Sequence, residues 1–326
     1  MNRNTLKKTV AGVAAAALAL VAAAGLAGCS TGEPDHSSAA DNTASKSIRV
    51  ATQRQPHLFA AYEWSQYVPK GYTVQVVPMD NSNSEKDALL TGDVDFALMG
   101  VPTVISQAAQ GGGIKIIAGG ADGGSGLMAK KDIASVEQLK GKKIGYVPNS
   151  SQEMALRLLL KSAGLNPDSD VQLVNIGYSE MSEALARGDI DAFAGAEMGV
   201  SLAKIAGASE ISSIYNTDIG KVNIALAAND KVIKGNPDMV KVAIAAHKKA
   251  TEALSSDKAM WKQAVMKQFT FDSAALDKAL DNMWLHWDLS DTYQKQCGEL
   301  ANQMVAISSI KKAPAASEYL DDQFVK

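Results

Sequence analysis

Ala88-Leu89-Leu90-Thr91-Gly92-Asp93-Val94-Asp95 recurs about 96 residues later as Ala184-Leu185-Ala186-Arg187-Gly188-Asp189-Ile190-Asp191. Each octet reads as the end of a helix, a glycine turn and the start of a strand, with the Asp pair serving the turn. Working outward, Ile48-Arg49-Val50 is matched by Ile144-Gly145-Tyr146-Val147, and Val74-Gln75-Val76-Val77 by Val171-Gln172-Leu173-Val174. Three matches in one order and at nearly one offset indicate a duplicated chain. Two similar lobes imply a cleft between them, and a cleft can hold a ligand.

From Ile48 onward, short apolar runs alternate with helical stretches, which predicts α/β architecture with parallel sheets. In lobe one, strands are expected near 48–53, 74–79, 94–99 and 114–118, and helices near 57–67, 84–91 and 102–110. The run Gly119-Gly120-Ala121-Asp122-Gly123-Gly124-Ser125-Gly126 lacks a following Lys-Ser or Lys-Thr at phosphate-loop spacing, so it reads as a flexible crossover. Lobe two repeats the layout, with strands near 127–130, 143–147, 171–175 and 190–194 and helices near 151–163, 179–187 and 199–206. A strand at 222–227 returns to lobe one, and the chain is helical from Pro237. The lobes are therefore expected over 48–125 plus 222–326 and over 126–221. Trp261, Trp284 and Trp287 read as core anchors, and His247 as part of a Lys-rich helix face.

The first residues predict export from the cytoplasm. Arg3, Lys7 and Lys8 precede an apolar run from Val10 to Ala24, followed by Leu26-Ala27-Gly28-Cys29. A basic head, an apolar middle and small residues before a cut form an export signal, here residues 1–28. A Cys directly after the cut offers a thiol for lipidation, so Cys29 is expected to carry the anchor. The pattern resembles the lipobox of bacterial lipoproteins. Residues 29–47, rich in Ser, Ala, Asp, Asn and Thr, read as a flexible stalk. The chain has two cysteines; if Cys29 is lipidated, Cys297 has no partner for a disulfide. A net charge of −3 argues against nucleic acid as a partner.

Candidate chemistry lies beyond the carboxyl ends of the parallel strands, where loops and helix N-termini converge. The lobe-one candidates are Gln53, His57, Ser82, Asn83, Gly100 and Thr103. The lobe-two candidates are Asn149, Ser150, Ser151, Tyr178 and Glu197. Ser82 with Glu85, and Ser150 with Glu153, have capping-box spacing, so Ser150 can start a helix while Ser151 serves a ligand. There is no Gly-x-Ser-x-Gly elbow, no His-Glu-x-x-His and no paired Cys, so neither a catalytic residue nor a metal or other cofactor is expected.

Leu89 to Gly100 (LLTGDVDFALMG), Gln107 to Gly111, Ser135 to Gly145 (SVEQLKGKKIG), Asn149-Ser150-Ser151, Ala184 to Phe193 and Tyr319 to Val325 together resemble one family. It is the solute-binding proteins of ABC importers, in the sulfonate, taurine, nitrate and thiamin-pyrimidine (NMT1/THI5-like) group. The resemblance implies a two-lobed periplasmic-binding-protein fold of type II, with two crossover strands and a ligand cleft. It implies delivery of a bound solute to a permease and its ATPase; with the lipid expected on Cys29, the protein is expected to be a membrane-anchored monomer that captures a small organic solute, sulfonate- or taurine-like or pyrimidine-like. A ligand-sensing lipoprotein or a pyrimidine-synthase-like enzyme are the alternatives. Sulfonate-binding relatives carry a Gly-Ser-Ser loop where this chain has Asn149-Ser150-Ser151, and a Trp and an acidic-Pro pair where it has Ala196-Glu197-Met198. Glu197, if it faces the cleft, would favour ligands with N–H donors.

Overall fold

The computed structural model describes residues 46–326. The export signal, Cys29 and most of the stalk lie outside the described residues. Lys46 and Ser47, read from sequence as the end of the stalk, already pair with Tyr72 and Thr73 as the start of a strand.

The first sheet begins with β1 (Lys46–Gln53), the short helix α1 (Ala60–Glu63) and β2 (Tyr72–Met79). Then come α2 (Ser82–Thr91), β3 (Phe96–Gly100), α3 (Val101–Ala109) and β4 (Ile114–Gly123). The chain crosses into a second sheet made of β5 (Ser125–Ala129), β6 (Lys143–Tyr146), α4 (Ser151–Ser162), β7 (Gln172–Asn175) and α5 (Tyr178–Arg187). β8 (Ala192–Ala196), α6 (Gly199–Ile205) and β9 (Ser209–Ser212) complete it. β10 (Val222–Asn229) returns to the first sheet. It is followed by α7 (Asp230–Gly235), α8 (Pro237–Ser256), α9 (Lys258–Gln268) and α10 (Ser273–Leu280). β11 (Met283–Leu285), α11 (Asp291–Ala306) and α12 (Ala316–Tyr319) end the chain.

The strand orders are β2-β1-β3-β10-β4-β11 and β7-β6-β8-β5-β9. The first five strands of one sheet map onto the other. A central strand (β1 or β6) runs parallel to both neighbours, and the third strand (β3 or β8) meets an antiparallel one (β10 or β5). The repeated octets supply the same joint twice. Gly92 and Gly188 close α2 and α5 in the left-handed region, at φ 83° and 82°, where a Cβ is disfavoured. Asp95 then accepts the Arg49 backbone N–H, and Asp191 that of Lys143. Each carboxylate also takes a cation, Arg49 and Lys130 respectively. These aspartates lock a helix-to-strand turn to the neighbouring strand.

Four expectations need correction. The glycine run is not a flexible crossover; β4 and β5 run through it with only Gly124 between, and nearly all of it is buried. Neighbours pack directly on its backbone. A Cβ on Gly119 would lie 2.4 Å from His286 Nδ1, and one on Gly126 would lie 2.8 Å from Val200. The helix expected over 57–67 is broken into a 3-10 turn, α1 and a second 3-10 turn. Side chains from outside the segment take carbonyls there: Thr52 Oγ1 donates to Leu58 O, and the distant Trp261 Nε1 to Pro56 O. His247 lies not on an exposed face but fully buried, its Nε2 2.7 Å from Gly119 O and its ring against Trp64. Of the three tryptophans only Trp261 is a core anchor. Trp284 is 42% exposed, with Lys221 over its ring, and Lys248 lies over Trp287.

Candidate functional site

The parallel strands of the two sheets end towards a shared cavity. Gln53, Gln55, His57, Leu58, Ser82, Gly100, Asn223 and Ile224 line it from the first sheet's side. Ser150, Ser151, Gln152, Tyr178 and Ala196 line it from the second. The space for water is about 20 Å³, roughly one molecule. Anything larger than a water molecule would fit only with the walls further apart.

The cavity collects the first turns of four helices, because each follows directly on a parallel strand. Ser82 is the first residue of α2 and Tyr178 of α5; Gly100 caps α3, and Ser150 caps α4. Helix N-termini present N–H groups and the positive end of the helix dipole. Asn81 and not Ser82 is the cap of α2, its Oδ1 accepting from Asn83 N and Ser84 N. This frees Ser82 to accept the Gly100 N–H at 2.8 Å. The α4 cap follows the expected spacing: Ser150 Oγ accepts the Glu153 N–H. Glu153 Oε2 reaches back one residue further than a capping box, to the Asn149 N–H.

Most wall side chains hold one another. Gln152 Nε2 donates to Ser125 Oγ, and its Oε1 accepts from Tyr178 Oη, both at 2.8 Å. Asn223 Nδ2 donates to Gly123 O. Gln53 Nε2 lies 3.1 Å from Glu85 Oε2 and 3.4 Å from Ser82 Oγ. Three buried wall atoms have no protein partner: Gln55 Oε1, His57 Nδ1 and Ser151 Oγ. Such atoms are where a ligand gains most, since leaving them unpaired is costly.

No wall residue is formally charged at neutral pH. Burial pushes the His57 pKa down to about 3 and lifts the Tyr178 phenol above its ordinary value. Beneath the wall, burial raises Glu85 to about 8, against hydrogen bonds from Gln53 and Ser82 that lower it. The site is a neutral, amide-rich box at the positive ends of four helices.

Gln53, His57, Ser82, Gly100, Ser150, Ser151 and Tyr178 meet at this cavity. Asn83, Thr103 and Asn149 lie beside it and join the two halves. Thr103 Oγ1 donates to Asn149 O at 3.1 Å, and Asn83 Nδ2 approaches Pro148 O at 3.5 Å. Glu197 turns away. Its Oε2 accepts the Ser201 N–H inside α6, and its Oε1 accepts from Asn282 Nδ2. Both oxygens serve the helix and the crossover region, so Glu197 supplies no free acceptor to the wall. Gln55, Gln152 and Ala196 lie in the rim loops that the sequence singles out, whereas Leu58, Asn223 and Ile224 lie outside them. Asn223 carried a signal: one polar residue inside the run Val222-Asn223-Ile224-Ala225-Leu226-Ala227.

A family model described as NMT1/THI5 like matches residues 56–258. A stretch of 64 residues is 50% identical to the nitrate import ATP-binding protein of Synechococcus elongatus, covering 20% of this chain and 10% of that protein. A Brucella abortus protein named only as a binding protein is 30% identical over 209 residues, 62% of this chain and 64% of its own. The chain thus spans a tenth and just under two thirds of these relatives. The structure of the alkanesulfonate-binding protein SsuA from Xanthomonas axonopodis pv. citri, bound to MOPS, matches with a TM-score of 0.75 at 18% identity. The match covers 85% of this chain and 98% of that one. The fold is the two-lobed one of periplasmic binding proteins.

Proposed function

The chain belongs to the NMT1/THI5-like family, and on that premise we propose that it is the solute-binding component of an ABC importer for a small organic anion of sulfonate type. The observation that carries this is the convergence of four helix N-termini on an uncharged cavity between the sheets. An anionic head would be held by first-turn N–H groups and Ser151 Oγ, without a lysine or arginine. Leu58, Ala196 and Ile224 give its organic part an apolar wall. The protein binds, closes, releases to a permease with its ATPase, and carries out no chemistry. It acts as a monomer on the outer face of the bacterial membrane, tethered by lipid on Cys29.

A thermal-shift screen followed by calorimetry tests this, using ethanesulfonate, taurine, nitrate and a pyrimidine. A ligand at about 100 times its dissociation constant stabilises by roughly 2.7 kcal/mol. A sulfonate should give the largest shift. A shift with the pyrimidine alone, or turnover of any of these compounds, would reject the proposal.

A further inference from the structure

Glu85, on α2, is fully buried. Its carboxyl holds one residue that lines the cavity and, through it, a second. Gln53 Nε2 donates to Oε2 at 3.1 Å and lies 3.4 Å from Ser82 Oγ. Ser82 in turn accepts the Gly100 N–H, and Gln55 Nε2 reaches Gln53 Oε1 at 3.5 Å. Four groups on the first sheet's wall are therefore oriented through one carboxyl. Its second oxygen, Oε1, has no partner, and no ion pair to Glu85 occurs among the described residues.

We propose that Glu85 is a positioning residue that acts through Gln53 and Ser82, and that the cavity accepts an anionic head only while Glu85 keeps its proton. The inference rests on the anion reading of the site given above. As an acid, Glu85 is neutral and accepts from Gln53, which lies against Ser82. As a carboxylate it would put an unpaired negative charge directly behind the groups that face the ligand, without a cation to offset it. The burial that lifts its pKa to about 8 puts that change just above neutrality.

The groups around it are few. β1 contributes Gln53, and α2 contributes Ser82. Lys86 and Asp87, also on α2, pair with each other at 3.0 Å. From the other lobe, Tyr178 of α5 feels the Glu85 charge, and Glu153 of α4 acts on that same phenol. His57, on the same cavity wall, is held neutral by its burial. Neither Tyr178, raised above its ordinary range, nor His57, lowered to about 3, changes charge near pH 8.

Ethanesulfonate is a suitable probe because it stays an anion throughout. If binding requires the protonated form, wild-type affinity falls about tenfold from pH 7 to pH 9, and binding at pH 8 takes up about half a proton. That uptake is read as the difference in heat between two buffers of unlike ionisation enthalpy. Glu85→Gln keeps a neutral group of the same shape; its affinity should vary less than about twofold over the range, with no uptake. A flat wild-type profile, or a fall shared by Glu85→Gln, overturns the proposal while leaving the anion reading intact. Absence of wild-type uptake at pH 8 overturns it without need of the variant. Failure of ethanesulfonate to bind wild type at pH 7 overturns both.

Discussion

Thr103→Val should weaken ligand binding about fivefold without touching the cavity wall. Thr103 is 2% exposed at the start of α3, and its Oγ1 donates to the Asn149 carbonyl across the cleft at 3.1 Å. Valine fills nearly the same volume, so the loss is confined to one hydrogen bond between lobes. A neutral hydrogen bond contributes about 1 kcal/mol net, and the Asn149 residue is exposed enough for water to reach it when the bond is gone. About 1 kcal/mol corresponds to a factor of roughly five in an equilibrium constant at 25 °C. Opened lobes let water satisfy both groups equally well, so the whole effect falls on the closed form.

The assay is calorimetry for affinity and stopped-flow for dissociation, with the tightest ligand from the screen. The weakening should appear mainly as faster dissociation, because the bond holds the two halves together around the cavity. Thr103→Ser keeps the hydroxyl and should retain most of the affinity. Asn83→Ala removes the longer 3.5 Å approach to Pro148 O and should cost less than Thr103→Val. An unchanged dissociation constant and rate in Thr103→Val would refute the assignment of this bond to closure.

Gly119→Ala should destabilise the protein by about 2 kcal/mol or more, since its Cβ would meet His286 Nδ1 at 2.4 Å and Asp288 O at 2.8 Å. Denaturant unfolding measures it; a wild-type midpoint would show that β11 and its following segment yield freely. Cys297 is buried, with burial pushing its thiol up to about 12, so a thiol reagent should leave it untouched in folded protein lacking Cys29. Rapid labelling under native conditions would show that α11 opens locally.

The parts of the fold legible in the sequence are those fixed by neighbours along the chain. The octet ending in Gly-Asp-x-Asp is a local device: a left-handed glycine, then a carboxylate reaching one adjacent strand. Its repetition was enough to give two sheets of like order. The glycine run from 119 to 126 has the same composition as a flexible linker, and what fixes it comes from far away. His286, Trp284 and Val200 press on its backbone, and none of them is near it in sequence. His247 was misplaced for a related reason: Lys248 and Lys249 mark a wet face, while His247 sits on the other side of the same turn against Trp64.

The site divides along the same line. Residues directly after a parallel strand, such as Gln53, Gly100, Ser151 and Tyr178, reach the cavity because the strand ends there. Whether a polar side chain at that rim faces the cavity depends on which group claims it first. Glu197 follows β8, as the pattern requires, yet the Ser201 N–H and Asn282 take both its oxygens. Glu85 is the converse case. It lies one helical turn inside α2, where spacing assigns it to capping Ser82. Asn81 takes the cap instead and leaves Glu85 to point inward under Gln53. One substitution of capping partner thus separates a surface carboxylate, which would be ionised and of little consequence to the ligand, from a buried acid beneath the wall that meets it.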